Sequence, residues 1–566
     1  MPGDGDRGRD YVPPPKTESK MVDDGVTWEG PLARLRQQQA VIRTANPQDA
    51  GYSRQKQNGK LWVRERLDAL LDSGSFTEIG SITGKPSDNG SSNGTTASQF
   101  TPANSVIGFG KLNGRRVFVV ADDFSVRGGH ADGGIAMKAP YGEIRLLDGS
   151  SGGGSVATYL ATGATYVPPL AGLGQSMDAL AVVPVVSALL GPVVGLGAAK
   201  AATSHFSVML KDLSQMFAAG PPVVKQATFE ELSKEELGGW KIHSANGSVD
   251  NIVSSEYEAF TQIRSFLSYM PSSIFVLPTV TTSTDACDRR EEDLISVIPR
   301  RRTRAYDVRK VISMIVDHEE ASTPRPGSKP TTSFFEIGQT WGRNIVTGLA
   351  RLDGRPVGVL SSDCTVNGGA LDAFGSQKTA RFVNLCDHFG IPLLNLVDQP
   401  GFAIGSAAER IATIRHGASA ISALYNATIP TYTVIIRRAF GVAGGAFADP
   451  EDGKNTRIAW PSGDWGSLPL EGGIEAAYKR QLEAAVSPAE RDKLMASLLA
   501  QFDEVRSPLR TAHRFGIEEI VDPRDTRPLA CEWAKHVYEV VLPPRLMLRQ
   551  NVLSWDGKLP RGGYRL

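Results

Sequence analysis

Residues 149–156 read GSSGGGSV, four glycines and three serines directly behind the short run Ile144-Arg145-Leu146-Leu147-Asp148. Glycine at this density serves where a backbone passes close to another group, or where φ must be positive. A phosphate is one candidate for that group, but the GxxxxGK[ST] pattern needs a lysine for the phosphates and a hydroxyl for magnesium. No lysine follows Gly154 within the loop. Behind a strand and ahead of a helix-like run, the N–H groups of Gly152 and Gly153 can instead converge on a carbonyl oxygen that becomes negative. Donors fixed in advance stabilise such an oxyanion by on the order of 3 kcal/mol each. A tight strand-to-helix turn without any ligand is the plain structural alternative.

Acyl-enzyme chemistry is a third reading. GSSGGGS is similar to the glycine–serine stretch of amidase-signature hydrolases, which use a Ser–Ser–Lys nucleophile system. Ser176 lies near the required spacing, but in GLGQSMD and not in the D-x-G-G-S-I-R context of those enzymes.

The elements that must position these residues come in two copies. Residues 106–138, VIGFGKLNGRRVFVVADDFSVRGGHADGGIAMK, align without a gap on 346–378, VTGLARLDGRPVGVLSSDCTVNGGALDAFGSQK, at an offset of 240. Gly114, Arg115, Val117, Val119, Asp123, Val126, Gly128, Gly129, Asp132 and Lys138 are repeated. Each copy opens as two β-rich runs around Asn113-Gly114 or Asp353-Gly354, a strong hairpin signal. Gly195-Leu196-Gly197-Ala198 then pairs with Gly441-Val442-Ala443-Gly444 at an offset of 246. The chain therefore reads as two homologous α/β halves joined by the charged segment 283–304.

The halves differ between Lys138 and Asp148. After Lys378 come an amphipathic run, TARFVNLCDHFG, and the strand IPLLNLVD; after Lys138 only APYGEIRLL precedes Asp148, ten residues fewer. Parallel strands need a crossover of a dozen residues or more, usually a helix. Nine residues cannot supply one, so either this layer is rebuilt in the first half or a segment is missing.

At 566 residues the chain exceeds one ordinary core. A net charge of zero gives no electrostatic reason to expect nucleic acid or an anionic membrane as partner. Four dispersed cysteines without a CxxC pair argue against a disulfide framework and a zinc site, and no metal is expected. The polar N-terminal residues 1–27 read as a disordered tail without a targeting signal, which points to a cytoplasmic protein, with peroxisome and mitochondrion left open. Residues 180–199 are uncharged for twenty positions but contain Pro184 and Pro192, so they read as buried α/β core and not as a membrane span.

Taken together, GKLWVRERLDALLDSGSFTEIG (59–80), DFSVRGGH (123–130), SGGGSV (151–156), ELGGWKIH (236–243), YDVRKVISMIVD (306–317), DQPGFAIGSAAER (398–410), IRHGA (414–418) and RRAFGVAGGAF (437–447) resemble the carboxyltransferase (β) subunits of biotin-dependent acyl-CoA carboxylases, the propionyl-CoA and methylcrotonyl-CoA carboxylase group. The resemblance spans nearly the whole chain after residue 30. It implies an α/β fold of two tandem crotonase-like β-β-α spiral domains related by duplication. An acyl-CoA domain would occupy 28–285, a linker 286–304, a biotin domain 305–545 and a tail 546–566. It further implies that Gly152 and Gly153 hold the thioester enolate, and that Val442 and Ala443 polarise the ureido oxygen of biotin. Gly154, Gly441 and Gly444 would flank these donors, and Arg127, Gly128, Gly129 and Lys138 would meet the coenzyme A thioester. The family moves a carboxyl group from carboxybiotin to the α carbon, or the vinylogous γ carbon, of an acyl-CoA. Biotin would be carried on a separate biotin carboxylase/biotin carrier α subunit, which uses ATP and bicarbonate, and the chain would form a homo-oligomer, a hexamer by resemblance.

Ala136-Met137-Lys138-Ala139 imitates a biotin attachment sequence, but a carrier needs its own small β domain and the repeat partner Gln377-Lys378 is not one. Two rivals stay open: a biotin-linked acyl-CoA decarboxylase subunit, which runs the chemistry backwards, and a catalytically silent scaffold, motivated by the ten-residue deficit. A crotonase hydratase is disfavoured, because it needs glutamates placed beside the glycine loops and none directly follows either loop. The stretch WPSGDWGSLPLEGGIEAAY (460–478) also departs from the family's usual apolar run.

Overall fold

A computed structural model describes residues 27–86, 100–129, 138, 142–149, 159–160, 163–165, 167, 170, 173–319, 331–450, 455–503 and 505–555. The expected tail 1–27 and the loop containing Gly152, Gly153 and Gly154 lie outside them, apart from residue 27.

Two mixed sheets carry the fold. The first consists of β1 (Thr77–Ile79), β2 (Ser105–Leu112), β3 (Arg115–Asp122), β4 (Ile144–Gly149), β5 (Val186–Val194), β6 (Phe206–Leu210), β7 (Gln215–Phe217) and β8 (Asn251–Val253). Its order is β1-β2-β3-β4-β5-β6-β8, with β7 added beside β5. The second consists of β9 (Phe335–Ile337), β10 (Ile345–Leu352), β11 (Arg355–Ser362), β12 (Leu393–Gln399), β13 (Thr431–Phe440), β14 (Thr456–Ala459) and β15 (Asp464–Gly466), in the order β9-β10-β11-β12-β13-β14 with β15 beside β13. In each sheet a leading antiparallel meander gives way to parallel strands.

The registers coincide. Ser105 faces Asp122 as Ile345 faces Ser362, and Val119 faces Ile144 as Val359 faces Leu394. Each hairpin turns on a pair with positive φ, Asn113 and Gly114 at 51° and 79°, Asp353 and Gly354 at 51° and 73°. That is the left-handed pair a two-residue β-turn requires. Asp72 accepts the N–H groups of Asn113 and Gly114, and Asp317 those of Asp353 and Gly354.

The duplication begins before the sheets. Helices α1 (Val63–Leu70) and α4 (Val308–Ile315) pack equivalently. Arg64 of α1 forks onto Glu78 of β1, and Arg309 of α4 onto Glu336 of β9.

The second-half crossover is a helix as the sequence predicts, and the first half keeps parallel strands across a shorter connection. In the second half, α5 (Ala373–Phe389), capped by Asp372 and ended by Gly390 at φ 68°, links β11 to β12. In the first half β3 and β4 are still paired in parallel. The connection between them runs from residue 123 to 143, so five of the nine residues after Lys138 are its last part and the other four already belong to β4. The apolar stretch 180–199 contributes β5 and the following α2 (Leu196–Ala202), and no helix among the described residues is long and apolar enough to cross a membrane.

The halves share a core. Phe206 of β6 stacks on Phe266 of helix α3 (Glu256–Tyr269) and meets Phe335 of β9 edge-on at 5.5 Å.

Candidate active site

The second-half turn is formed where β13 ends. Gly441 has φ 63° and starts helix α6 (Gly441–Ala448), so the chain reverses from strand into helix within one residue. The first N–H groups of a helix have no intrahelical acceptor and point out of its start, where the helix dipole favours negative charge. Val442 and Ala443 supply two of them. The Val442 side chain is 70% exposed, while Ala443 is buried and anchors the turn. A Cβ at Gly444 would stand 2.5 Å from the Ala439 carbonyl carbon and 3.0 Å from the Gln399 oxygen, so only glycine lets the helix pass this close. The expected Gly441, Val442, Ala443 and Gly444 are therefore brought together at the carboxyl end of parallel strands, where α/β sheets bind ligands.

Beneath the turn lies a charged cluster centred on Asp398, which is fully buried. Its Oδ2 accepts the Tyr306 hydroxyl at 2.9 Å and Arg437 Nη2 at 2.8 Å; its Oδ1 accepts Arg438 Nε at 2.6 Å. Burial opposes ionisation, but the hydrogen bonds from Arg438 and the charges of both arginines outweigh it and hold the Asp398 carboxyl below its ordinary range.

In the first half, Arg127, Gly128 and Gly129 form a left-handed turn with φ of 54°, 60° and 69°. Its repeat partner is the turn Asn367, Gly368 and Gly369, at 48°, 64° and 85°. Gly129 abuts the end of β4: a Cβ there would stand 2.7 Å from the Asp148 oxygen. The expected residues 127–129 thus pack against Asp148 and Gly149, the residues that open the glycine–serine loop. Arg127 is exposed. Asp148 is fully buried and paired with Lys60 Nζ at 2.6 Å and Arg66 Nη2 at 2.8 Å. Arg66 also binds Glu256 of α3. Burial pushes the carboxyl of the neighbouring Asp122 up to about 6, and its Oδ2 accepts the Asp148 N–H.

Lys138 is placed elsewhere. Its Nζ donates to the Gly80 oxygen just past β1, as Lys378 Nζ donates to the Gly338 oxygen just past β9. Ser176 is fully buried on helix Leu173–Leu180, where no acyl group can reach its hydroxyl. A cavity of about 540 Å³ holds none of the expected site residues. It is lined by residues at the ends of α5 and the helix Thr413–Asn426, and by Arg545 and Arg549, at the amino-terminal edge of the parallel strands.

Sequence reasoning noticed Asp148 and Asp398 as repeat partners but not their cations. Lys60 and Arg66 are too distant in sequence for any spacing rule, whereas Arg437-Arg438 stood in plain view inside RRAFGVAGGAF.

The fold is a pair of crotonase-like sheets related by duplication, each with a positive-φ glycine, Gly195 or Gly441, where a strand passes into a helix. Residues 54–539 match the carboxyl transferase domain family. The propionyl-CoA carboxylase carboxyltransferase subunit of Haloferax mediterranei is 32% identical over 513 residues, covering 89% of this chain and 95% of its own. The human mitochondrial propionyl-CoA carboxylase β chain is 33% identical over 84% of this chain and 85% of its own. Methylmalonyl-CoA decarboxylase subunit α of Veillonella parvula is 31% identical over 84% and 89%. Among solved structures, the transcarboxylase 12S hexamer with methylmalonyl-coenzyme A superposes with a TM-score of 0.75 at 28% identity, over 90% of this chain and 96% of that one. The chain belongs to the carboxyl transferase family and is a biotin-dependent acyl-CoA carboxyltransferase.

Proposed function

We propose that this chain carboxylates the α carbon of a short acyl-CoA, with propionyl-CoA as the first candidate, and that it does so as the β subunit of a two-component carboxylase. The observation that carries the substrate reading is the 32–33% identity to propionyl-CoA carboxylase subunits across most of both chains. The glycine–serine loop would hold the thioester oxygen through Gly152 and Gly153 as the α proton leaves and negative charge moves onto that oxygen. Carboxybiotin, carried on a separate α subunit, supplies the carboxyl group. The N–H groups of Val442 and Ala443 fit its ureido oxygen: they open a helix, lie beside a positive-φ glycine, and no side chain of the turn obstructs them except Val442. The turn Gly441-Val442-Ala443-Gly444 carries no side-chain nucleophile, so on this reading rate acceleration there rests on donors fixed before the reaction. A homo-hexamer, the assembly named for the transcarboxylase 12S core, is the proposed quaternary state.

The test is the reverse half-reaction on the purified chain. Methylmalonyl-CoA, malonyl-CoA and 3-methylglutaconyl-CoA are each mixed with free biotin and the release of CO₂ is followed. Biotin-dependent decarboxylation, fastest with methylmalonyl-CoA, is the expected result; silence with all three from a folded oligomer would reject the reading. The sharper variant is Val442→Pro. Proline is tolerated in the first turn of a helix and removes one N–H. The expected loss is on the order of 100-fold in kcat, with the fold intact by circular dichroism.

A further inference from the structure

β12 and β13 do not run in simple register. Val397 faces Ile435, but Gln399 faces Ala439, so β13 carries two extra residues opposite Asp398. A widened step of this kind leaves main-chain groups without cross-strand partners and re-aims whatever follows. Here the side chain of Asp398 fills the break. Its Oδ1 accepts the backbone N–H of Arg438 at 3.2 Å as well as the Arg438 Nε. The Arg438 guanidinium continues to the Gly368 oxygen at 2.7 Å, tying in the left-handed turn 367–369. On its other side β13 is fixed by β15, with Arg438 opposite Asp464 and Phe440 opposite Gly466. Three residues past this clamp, Gly441 turns the chain and Val442 presents its N–H.

We infer that Asp398, acting through Arg438, is the positioning residue of the second-half donor turn: the pair sets the exit of β13 and so the direction of the Val442 and Ala443 N–H groups. The inference rests on the reading that these donors serve carboxyl transfer. Arg438 does not touch the reacting atoms. It transmits the carboxylate to the strand, and it takes a fork to do so, because one guanidinium must bridge Asp398 and Gly368 at once. Tyr306 is the internal control. It binds the same carboxylate from the start of the second half and does not touch the turn.

The experiment uses the full chain with Arg438→Ala, Arg438→Lys and Tyr306→Phe, assayed by biotin-dependent decarboxylation of methylmalonyl-CoA and by amide hydrogen exchange. For Arg438→Ala the expected kcat loss is at least about 30-fold with KM for the acyl-CoA within about twofold, since the donors act on charge that develops during the reaction. Added guanidinium ion is expected to restore about tenfold of it, and Arg438→Lys to fall between wild type and alanine. Exchange of amides in 441–448 should rise about tenfold, with 196–202 unchanged. Tyr306→Phe should keep kcat within about threefold. Wild-type kcat in Arg438→Ala overturns the inference, as does a loss that guanidinium does not rescue in a folded Arg438→Lys. Absence of biotin-dependent turnover in the wild type itself overturns the functional reading and the inference with it.

Discussion

Asp148 and Asp398 each lie opposite a widened step of the neighbouring parallel strand, where Leu147 to Gly149 spans Leu189 to Val193 and Val397 to Gln399 spans Ile435 to Ala439. Both are fully buried, and a buried carboxylate must be paired. The second half supplies the cations from the widened strand itself, Arg437 and Arg438. In the first half those two positions are Gly191 and Pro192. Gly191 leaves a gap, and Lys60 fills it from outside the sheet: a Cβ at Gly191 would stand 1.9 Å from Asp148 Oδ1 and 2.5 Å from Lys60 Nζ. Pro192 has no N–H, so the carboxylate cannot grip the strand backbone as Asp398 does. Duplication has kept the buried charge and changed what it holds. Asp398 fixes a strand leading into a donor turn; Asp148 fixes the sheet to α1 and, through Arg66 and Glu256, to α3.

The largest effect is expected from breaking these clusters at the shared acid. Asp148→Asn leaves Lys60 and Arg66 buried around a neutral group, a loss on the order of 4 kcal/mol seen as a lower urea midpoint. Asp398→Asn should cost less, because the Arg438 side chain keeps 19% of its surface and can turn to water. The reverse order of midpoints would refute this account of the asymmetry. Next comes Gly191→Ala, which pushes a methyl group into the Lys60–Asp148 contact and should cost about 2 kcal/mol by overpacking. An unchanged midpoint would show that Lys60 can retreat without loss.

A smaller, pH-dependent effect separates Asp122 from its repeat partner Ser362. Burial raises the folded pKa of Asp122 to about 6, above the unfolded value of about 3.9. Between those values the folded state binds more protons, so this group's contribution falls as pH rises and is fully lost above about 6. Asp122→Asn removes the titration. Its stability relative to wild type should rise from pH 4 to pH 6 and then level off. Parallel curves across that interval would remove Asp122 as the cause.

Much of this was legible in the sequence, for reasons that differ by region. The hairpins at Asn113-Gly114 and Asp353-Gly354 and the turn at 441–444 were readable because glycine there answers a backbone requirement that few residues can meet. The duplication could also have been traced to α1 and α4: Val63-Arg64 and Asp72 recur as Val308-Arg309 and Asp317 at an offset of 245. That match was hidden by an offset different from 240 and by the unequal segments leading to β2 and β10. The pairing of Asp148 with Lys60 and Arg66 had no local signal at all, since it depends on how α1 crosses the sheet. The ten-residue shortfall after β3 is visible in both sequence and register, since Val119 faces Ile144 where Val359 faces Leu394.

The smallest expected effect concerns the two lysines that bind the carbonyls beyond the edge strands. Burial lowers the pKa of both, that of Lys378 to about 7. Lys378 Nζ sits between the Gly338 and Ile345 oxygens at 2.7 Å from each, whereas Lys138 has Gly80 at 3.2 Å. An unfolded lysine titrates near 10.4, so between about 7 and that value the unfolded state binds the extra proton and wild-type stability gains as pH rises. Lys378→Met abolishes the gain. Comparing melts at pH 6.5 and 9.0, wild type should gain roughly 2 °C over the variant, and Lys138→Met should show less of this difference. Equal pH responses for the two methionine variants would mean that these lysines, aligned by sequence at an offset of 240, are also equally buried in solution, and that the halves differ less at this edge than at their aspartates.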